Sequence, residues 1–134
     1  MADAGRVVSG SARGVRLLAP GAGTRPLTDR VKQTLFAVLD PVLADARVLD
    51  LFAGSGAGAI EALSRGAARA VLVEHDARAV GVIRANLERA SLADRATVVR
   101  ADVLGWLRTG AAIGGERRRD QFRRPRRRLS HAAR

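Results

Sequence analysis

The chain has 134 residues, which is enough for one domain with a hydrophobic core and too few for two. It contains no cysteine, which excludes a disulfide framework, a thiolate metal site and a cysteine nucleophile, so no metal is expected and a cytoplasmic protein fits best. No apolar run approaches the roughly 20 residues that cross a bilayer, and residues 1–5 do not resemble a targeting segment, so no membrane partner is expected.

The formal net charge of +11 is unevenly distributed along the chain. Residues 111–134 hold nine arginines against Glu116 and Asp120, so this tail carries a net +7 and residues 1–110 carry +4. An arginine block attracts phosphate through counterion release, without sequence selectivity. The same composition is typical of a disordered, solvated segment, and we prefer that interpretation for the Arg-rich tail.

The N-terminal third predicts a hairpin followed by a helix. Two short runs that contain apolar residues, 6–9 and 15–19, are separated by a Gly-rich turn and predict a small hairpin or a pair of edge strands. Thr28 or Asp29 can cap the helix that follows, and Asp40-Pro41 is predicted to end it. The apolar residues that share one face of this helix are Val31, Leu35, Val38 and Leu39.

From Arg47 onward, strand patterns alternate with helix patterns. They predict a strand at 47–52, a helix at 57–65, a strand at 70–74, a helix at 76–91 and a strand at 96–101. Strands separated by helices of about ten to fifteen residues imply parallel pairing with right-handed crossovers. The fold class is therefore α/β, with the first half of a doubly wound, Rossmann-like sheet. One more short helix is expected after Asp102, and we find no further strand pattern.

We expect three segments along the chain. Residues 1–40 form the N-terminal hairpin and helix extension, residues 41–109 form the Rossmann-like half-domain, and residues 110–134 form the disordered basic tail. A folded chain is expected to be monomeric. Unpaired strand edges and uncovered apolar helix faces nevertheless predict aggregation or partial folding.

Three acidic residues follow or close the predicted strands: Asp50, Glu74 and Asp102. In an open α/β sheet, ligands bind beyond the carboxyl ends of the strands, so these residues are the first candidates for a site. A lone carboxylate at such a position serves more often as a cap for the next helix. Three of them at successive strand ends favour a binding site.

Gly54 and Gly56 allow a tight turn and a close approach of the backbone to a ligand. A dinucleotide fingerprint would place a third glycine at position 59, which is Ala59, and Asp50 lies within the strand end, ahead of the glycines. Acidic groups near the turn favour S-adenosylmethionine, a ligand with a cationic sulfonium and no pyrophosphate. Glu74 is placed to accept both ribose hydroxyls and Asp102 the adenine amino group.

These residues resemble the RsmD type of class I methyltransferase. Residues 8–17 (VSGSARGVRL) are similar to that family's N-terminal hairpin, and 24–31 (TRPLTDRV) to its T-R-P-T-T-D-R-V segment. The likeness continues through 50–56 (DLFAGSG), 61–67 (EALSRGA), Val73-Glu74 and Asn86-Leu87. It covers roughly residues 6–102.

The resemblance implies methylation of the exocyclic N2 of a guanine in small-subunit ribosomal RNA, with S-adenosylmethionine as cofactor. The predicted cofactor residues are Asp50, Phe52, Ala53, Gly54, Gly56, Glu74, His75, Asp102 and Val103. The partner would be ribosomal RNA or the small ribosomal subunit, whose phosphates the extension could contact. The candidate RNA-binding residues are Arg13, Arg16, Arg25 and Arg30, although any one arginine in a polar loop is as readily explained by solvation.

One departure from the family concerns the chemistry itself. Its members carry a D-P-P-Y loop that orients the target amine, whereas the only proline after Asp102 is Pro125. We therefore assign no catalytic residue, expect catalytic power to be lost, and expect residues from about 110 onward to reflect a shifted reading frame or a truncated gene. Two alternatives remain: a non-catalytic basic RNA-binding fragment, and a relative of the DNA adenine methyltransferases.

Overall fold

The computed structural model describes residues 3–21 and 27–109. Predictions that concern residues 22–26 and 110–134, including Arg25 and the Arg-rich tail, lie outside the described residues. The elements in chain order are β1 (Asp3–Arg6), β2 (Arg16–Leu18), α1 (Asp29–Leu43), β3 (Arg47–Leu51), α2 (Ala57–Ser64), β4 (Arg69–Glu74), α3 (Ala77–Arg89), a 3₁₀ turn (Ala93–Arg95), β5 (Ala96–Arg100) and α4 (Val103–Arg108).

The larger sheet is parallel, with the strand order β3-β4-β5. In its register Leu51 lies opposite Val73, and Glu74 lies opposite Arg100. The predicted α/β fold class and parallel pairing are confirmed, and the five predicted elements agree with the observed bounds to within two residues. The short helix expected after Asp102 is α4.

The central strand β4 is buried on both faces, which explains its continuous apolar sequence. Successive strand residues point to opposite faces. Leu72 belongs to the main core, together with Ile60 of α2 and Ile83 of α3. Val71 and Val73 belong to a second cluster that α4 covers. Helices therefore lie on both faces of the sheet, as a doubly wound arrangement requires.

The predicted hairpin is confirmed as an antiparallel pair, β1 and β2, which we call the N-terminal hairpin (residues 3–18). Its first strand ends at Arg6, earlier than the predicted run 6–9. Beyond this strand, the N–H groups of Val8 and Ser9 donate to the carboxylate of Glu61 on α2, over 2.8 and 3.2 Å. The hairpin is thereby fixed to the sheet domain.

The start of α1 agrees with prediction, and its end does not. Thr28 caps the helix, and its Oγ1 accepts from the N–H of Val31 at 3.2 Å. The predicted end at Asp40-Pro41 is wrong, because the helix continues through Pro41 to Leu43. A proline in the last turn removes a single hydrogen bond, and the buried side chain of Leu43 holds that turn against the core.

The apolar residues predicted to share one face of α1 do not form the face that the helix buries. The side chains that the helix buries are those of Lys32, Phe36 and Leu43, whereas Val38 is 74% exposed. A hydropathy pattern counts Lys32 as surface, yet its stem is buried and its Nζ donates to the carbonyl of Arg6. An apolar stripe therefore faces outward, as the expectation of uncovered helix faces implied, and it consists of Val31, Leu35, Val38 and Val42.

Candidate cofactor site

The three predicted acids lie at one edge of the sheet, because the strands that carry or precede them are parallel. Asp50 is the fourth residue of β3, Glu74 is the last residue of β4, and Asp102 follows β5 by two residues. Because of the strand register, each of the three acids lies further along the strand direction than the one before it, so they do not form a straight row. We call this edge the carboxyl edge.

Residues 53–56 form a tight turn between β3 and α2, which we call the glycine turn. The N–H of Gly56 donates to the carbonyl of Ala53 at 2.8 Å. Gly56 has φ +82° at the N-cap of α2, and a Cβ there would lie 3.4 Å from the side chains of Ile60, Leu72 and Ile83. Both its conformation and its packing therefore require glycine.

Phe52, directly before the turn, has φ +60°, a conformation that bulky residues rarely adopt. The residue is 71% exposed. Such strain persists only where the surroundings enforce it, and it concentrates at functional sites. Phe52 thus presents an aromatic surface beside the glycine turn.

Glu74 connects β4 to the glycine turn. Its side chain is nearly buried; Oε1 accepts from the N–H of Gly54 at 3.1 Å, and Oε2 accepts from the N–H of Asp76 at 3.0 Å. The Nδ1 of His75 lies 3.2 Å from the same Oε2. A carboxylate offers about four acceptor positions and the two backbone N–H groups occupy two of them, so Glu74 retains two for a ligand when His75 does not donate.

Asp50 is the acid of the site whose pKa is shifted. Burial raises the pKa of its carboxyl group, and the negative charge of Glu74 raises it further, while a hydrogen bond from the backbone N–H of Ala59 acts in the opposite direction. A Cβ at Gly58 would lie 3.5 Å from Oδ2 of Asp50, so the first turn of α2 faces this carboxylate. An anion in this position gains from a cationic ligand.

Asp102 has a structural role of its own. It is the N-cap of α4, and its Oδ2 accepts from the N–H of Gly105 at 2.9 Å. The residue remains exposed. The side chain of Val103 is buried in the second apolar cluster, so only the backbone of this residue is free to face a ligand.

A cavity of about 450 Å³ lies beside the glycine turn, between α1 and β3. Leu35 and Leu39 of α1 form part of its apolar wall. Four of the predicted cofactor residues line it: Asp50, Phe52, Ala53 and Gly54. The structure thus brings these four together, joins Glu74 to them through Gly54, and places His75, Asp102 and Val103 further along the carboxyl edge.

A comparison with protein families matches residues 5–116 to the model described as Conserved hypothetical protein 95. The chain belongs to this family. It is the RsmD type whose resemblance the sequence showed, and its members are S-adenosylmethionine-dependent methyltransferases. The chain spans about half the length of the curated relatives it matches.

Individual relatives agree with this assignment. Ribosomal RNA small subunit methyltransferase D of Escherichia coli K12 is 46% identical over 103 residues, which cover 76% of this chain and 52% of that protein. The solved structure of a hypothetical protein from Thermus thermophilus is 41% identical with a TM-score of 0.71, covering 80% of this chain and 61% of that one. The O-methyltransferase of Bacillus cereus in complex with SAH, at 23% identity and a TM-score of 0.55, covers 61% and 38% and shows a shared fold alone.

In this RsmD-type chain the candidate RNA-binding arginines all lie in or near the extension. Arg13 is exposed in the hairpin turn, Arg16 is exposed on β2, and Arg30 is exposed in the first turn of α1. Arg25 lies outside the described residues. RNA contact by these residues stays a prediction. Sequence reasoning did not single out Arg6, which forms an exposed ion pair with Asp29 at 3.0 Å.

Sequence reasoning also missed the buried polar residues that hold the RsmD-type fold together. Asn86 of α3 is fully buried and hydrogen-bonds both β2 and the glycine turn. The available signal was a polar residue within the buried helical spacing of Val80, Ile83 and Leu87.

Two negative findings concern residues 3–21 and 27–109. No cluster of three or more His, Asp or Glu side chains in this part is arranged to hold a metal ion. None of its helices has the length and apolar character needed to cross a membrane.

Proposed function

We propose that the chain binds S-adenosylmethionine at the carboxyl edge and belongs to an enzyme that methylates the exocyclic N2 of a guanine in small-subunit ribosomal RNA. The observation that carries this proposal is that Glu74 bonds the glycine turn through Gly54, while Asp50 lines the cavity beside that turn and lies within electrostatic reach of Glu74. Glu74 would accept the ribose hydroxyls, Asp102 would receive the adenine amino group, and Asp50 would face the cationic end of the cofactor. The cofactor itself supplies an activated methyl group.

The electrostatics favour this cofactor over a dinucleotide. Backbone N–H groups at a helix N-terminus ordinarily attract phosphate. Here the N–H of Ala59, in the first turn of α2, donates to the carboxylate of Asp50. A pyrophosphate would compete with Asp50 and meet the charge of Glu74, whereas a sulfonium and an ammonium group would be attracted by both.

The RNA substrate is supported by the family and by the charge of the extension. The E. coli relative is named as a small-subunit ribosomal RNA methyltransferase. Arg13, Arg16 and Arg30 are exposed on elements that precede the sheet. Contacts of arginine with phosphate position a nucleic acid without reading its sequence. A ribosomal substrate would place the protein in the cytoplasm.

The cofactor site is tested by titrating S-adenosylhomocysteine into the chain by calorimetry. Glu74→Ala should weaken binding by about 10- to 100-fold, since hydrogen bonds to a charged group contribute about 1.5–3 kcal/mol. The matched control is Asp94→Ala, because Asp94 is an exposed acid at the opposite end of β5. Equal affinities for Glu74→Ala and Asp94→Ala would refute the assignment.

Methyl transfer to small ribosomal subunits tests the reaction. The sequence contains no D-P-P-Y segment, so we expect this polypeptide to bind cofactor yet transfer methyl groups at least about 1000-fold more slowly than the E. coli relative. Any product should be N2-methylguanosine by nucleoside analysis. If DNA is supplied as the substrate, formation of N6-methyladenine would favour the DNA adenine methyltransferase alternative. Binding of RNA without binding of the cofactor would favour the RNA-binding fragment.

A further inference from the structure

Asn86 makes three hydrogen bonds from a fully buried position on α3. Its Oδ1 accepts from the N–H of Leu18 at 2.8 Å, and its Nδ2 donates to the carbonyl of Leu18 at 2.9 Å. The second Nδ2 proton goes to the carbonyl of Ser55 at 2.9 Å. One amide thus joins the last residue of β2 to the middle of the glycine turn.

The hairpin is held to the sheet domain by buried side chains that bond its backbone. Glu61 accepts from the N–H groups of two hairpin residues, and Ser64 accepts from the N–H of Ala12 at 2.9 Å and donates to the carbonyl of Ser9 at 2.6 Å. Of the three anchors Glu61, Ser64 and Asn86, only Asn86 also bonds the glycine turn. Among these three anchors, Asn86 is therefore the one that connects the hairpin directly to the glycine turn.

The glycine turn is fixed from two sides. The N–H of Gly54 donates to Glu74 on β4, and the peptide between Ser55 and Gly56 is held by Asn86 at its carbonyl and by Ala53 at its N–H. A ligand that contacts the glycine turn acts on the peptide between Ser55 and Gly56. The carbonyl group of this peptide is bonded to Asn86, which is also bonded to Leu18. Coupling between two sites is reciprocal, so a hairpin that is held in place would in turn stabilise the turn.

We propose that Asn86 is a positioning residue that couples occupancy of the cofactor site to the docking of the N-terminal hairpin. This inference rests on the proposed function, because it assumes that an adenosyl ligand contacts the glycine turn. Cofactor binding then tightens the hairpin, which carries Arg13 and Arg16, and so fixes these two arginines relative to the methyl donor. The expected coupling is about 5- to 20-fold in affinity, within the usual range for linked sites.

The test is amide hydrogen exchange on the full chain with and without S-adenosylhomocysteine. In the wild type, the ligand should slow exchange at the N–H groups of Val7 and Gly14, which are hydrogen-bonded within the hairpin, and at that of Leu18, which donates to Asn86. In Asn86→Asp, which keeps an acceptor for Leu18 and loses both donors, ligand affinity should fall about 5- to 20-fold and the effect on the hairpin should disappear. The matched control is Glu88→Gln on the exposed face of α3, which should behave as wild type.

The wild-type experiment tests the coupling itself even if Asn86→Asp does not fold. Binding of S-adenosylhomocysteine that leaves exchange of the hairpin amides unchanged would overturn the coupling and leave the proposed function intact. A folded wild-type chain that binds no S-adenosylhomocysteine would overturn both. A hairpin response that persists in a folded Asn86→Asp variant would assign the coupling to another residue and refute the role of Asn86.

Discussion

Replacing Gly10 with alanine is expected to lower the free energy of unfolding by about 3 kcal/mol or more and to detach the N-terminal hairpin from α2. A Cβ at this position would lie 1.8 Å from the carbonyl oxygen of Ser64 and 2.3 Å from its carbonyl carbon. These are backbone atoms of a buried helix end and cannot yield as a flexible side chain would. The N–H of Ser11 donates to the same oxygen at 2.9 Å, so displacement would also break that bond.

Gly14→Ala is the matched control for this prediction. Gly14 has φ +85°, similar to the +92° of Gly10, and a Cβ there would meet nothing within 4 Å. Its replacement should therefore cost only the backbone strain, about 1–2 kcal/mol. Urea denaturation measures both values. Equal losses of stability in the two variants would show that the contact with Ser64 does not hold the hairpin.

Replacing Asp50 with asparagine is expected to stabilise the cofactor-free protein at neutral pH and to weaken S-adenosylhomocysteine binding by about 10- to 100-fold. Burial raises the pKa of Asp50, so the folded protein holds this proton more tightly than the unfolded chain does. The stabilisation from the protonated form is complete below the unfolded pKa and is lost as pH rises through the folded pKa. Asparagine avoids the cost of the buried charge and keeps an acceptor for the N–H of Ala59.

Measuring the free energy of unfolding as a function of pH tests the prediction for Asp50→Asn. As pH rises above about 4, the usual pKa of an aspartate, and through the raised folded-state pKa, the wild type should lose stability relative to Asp50→Asn. Asp94→Asn serves as the control, because Asp94 is exposed and lies away from the carboxyl edge. A loss of stability in Asp50→Asn at neutral pH, with unchanged affinity for the ligand, would contradict the role assigned to Asp50.

The parallel sheet and the position of its acids could be predicted because their signals are local. Each crossover repeats the same change from strand to helix periodicity, and β4 (Arg69–Glu74) reads as a continuous apolar run. Parallel pairing alone then places Asp50, Glu74 and Asp102 at one edge. Capping of the following helix is the alternative role for each acid, and Asp102 does cap α4 alongside any role in binding.

The features that escaped prediction depend on contacts between distant parts of the chain. Glu61 and Val8 are 53 positions apart, and Asn86 and Leu18 are 68 apart, so no local pattern shows which backbone groups these polar side chains bond. The buried face of α1 could not be chosen for a related reason. Hydropathy favours the stripe that contains Val38, whereas the hairpin supplies a backbone acceptor for Lys32 and the core admits Phe36 on the other face.

The central claim is that an adenosyl sulfonium ligand binds at the carboxyl edge, and amide NMR of the ¹⁵N-labelled chain during titration with S-adenosylmethionine tests it most directly. We expect saturable shifts at Gly54, Gly56 and His75, with none at Arg69, which lies at the opposite end of β4. A folded chain whose amide resonances stay unchanged at saturating ligand, or shift only at the opposite ends of the strands, would contradict the assignment.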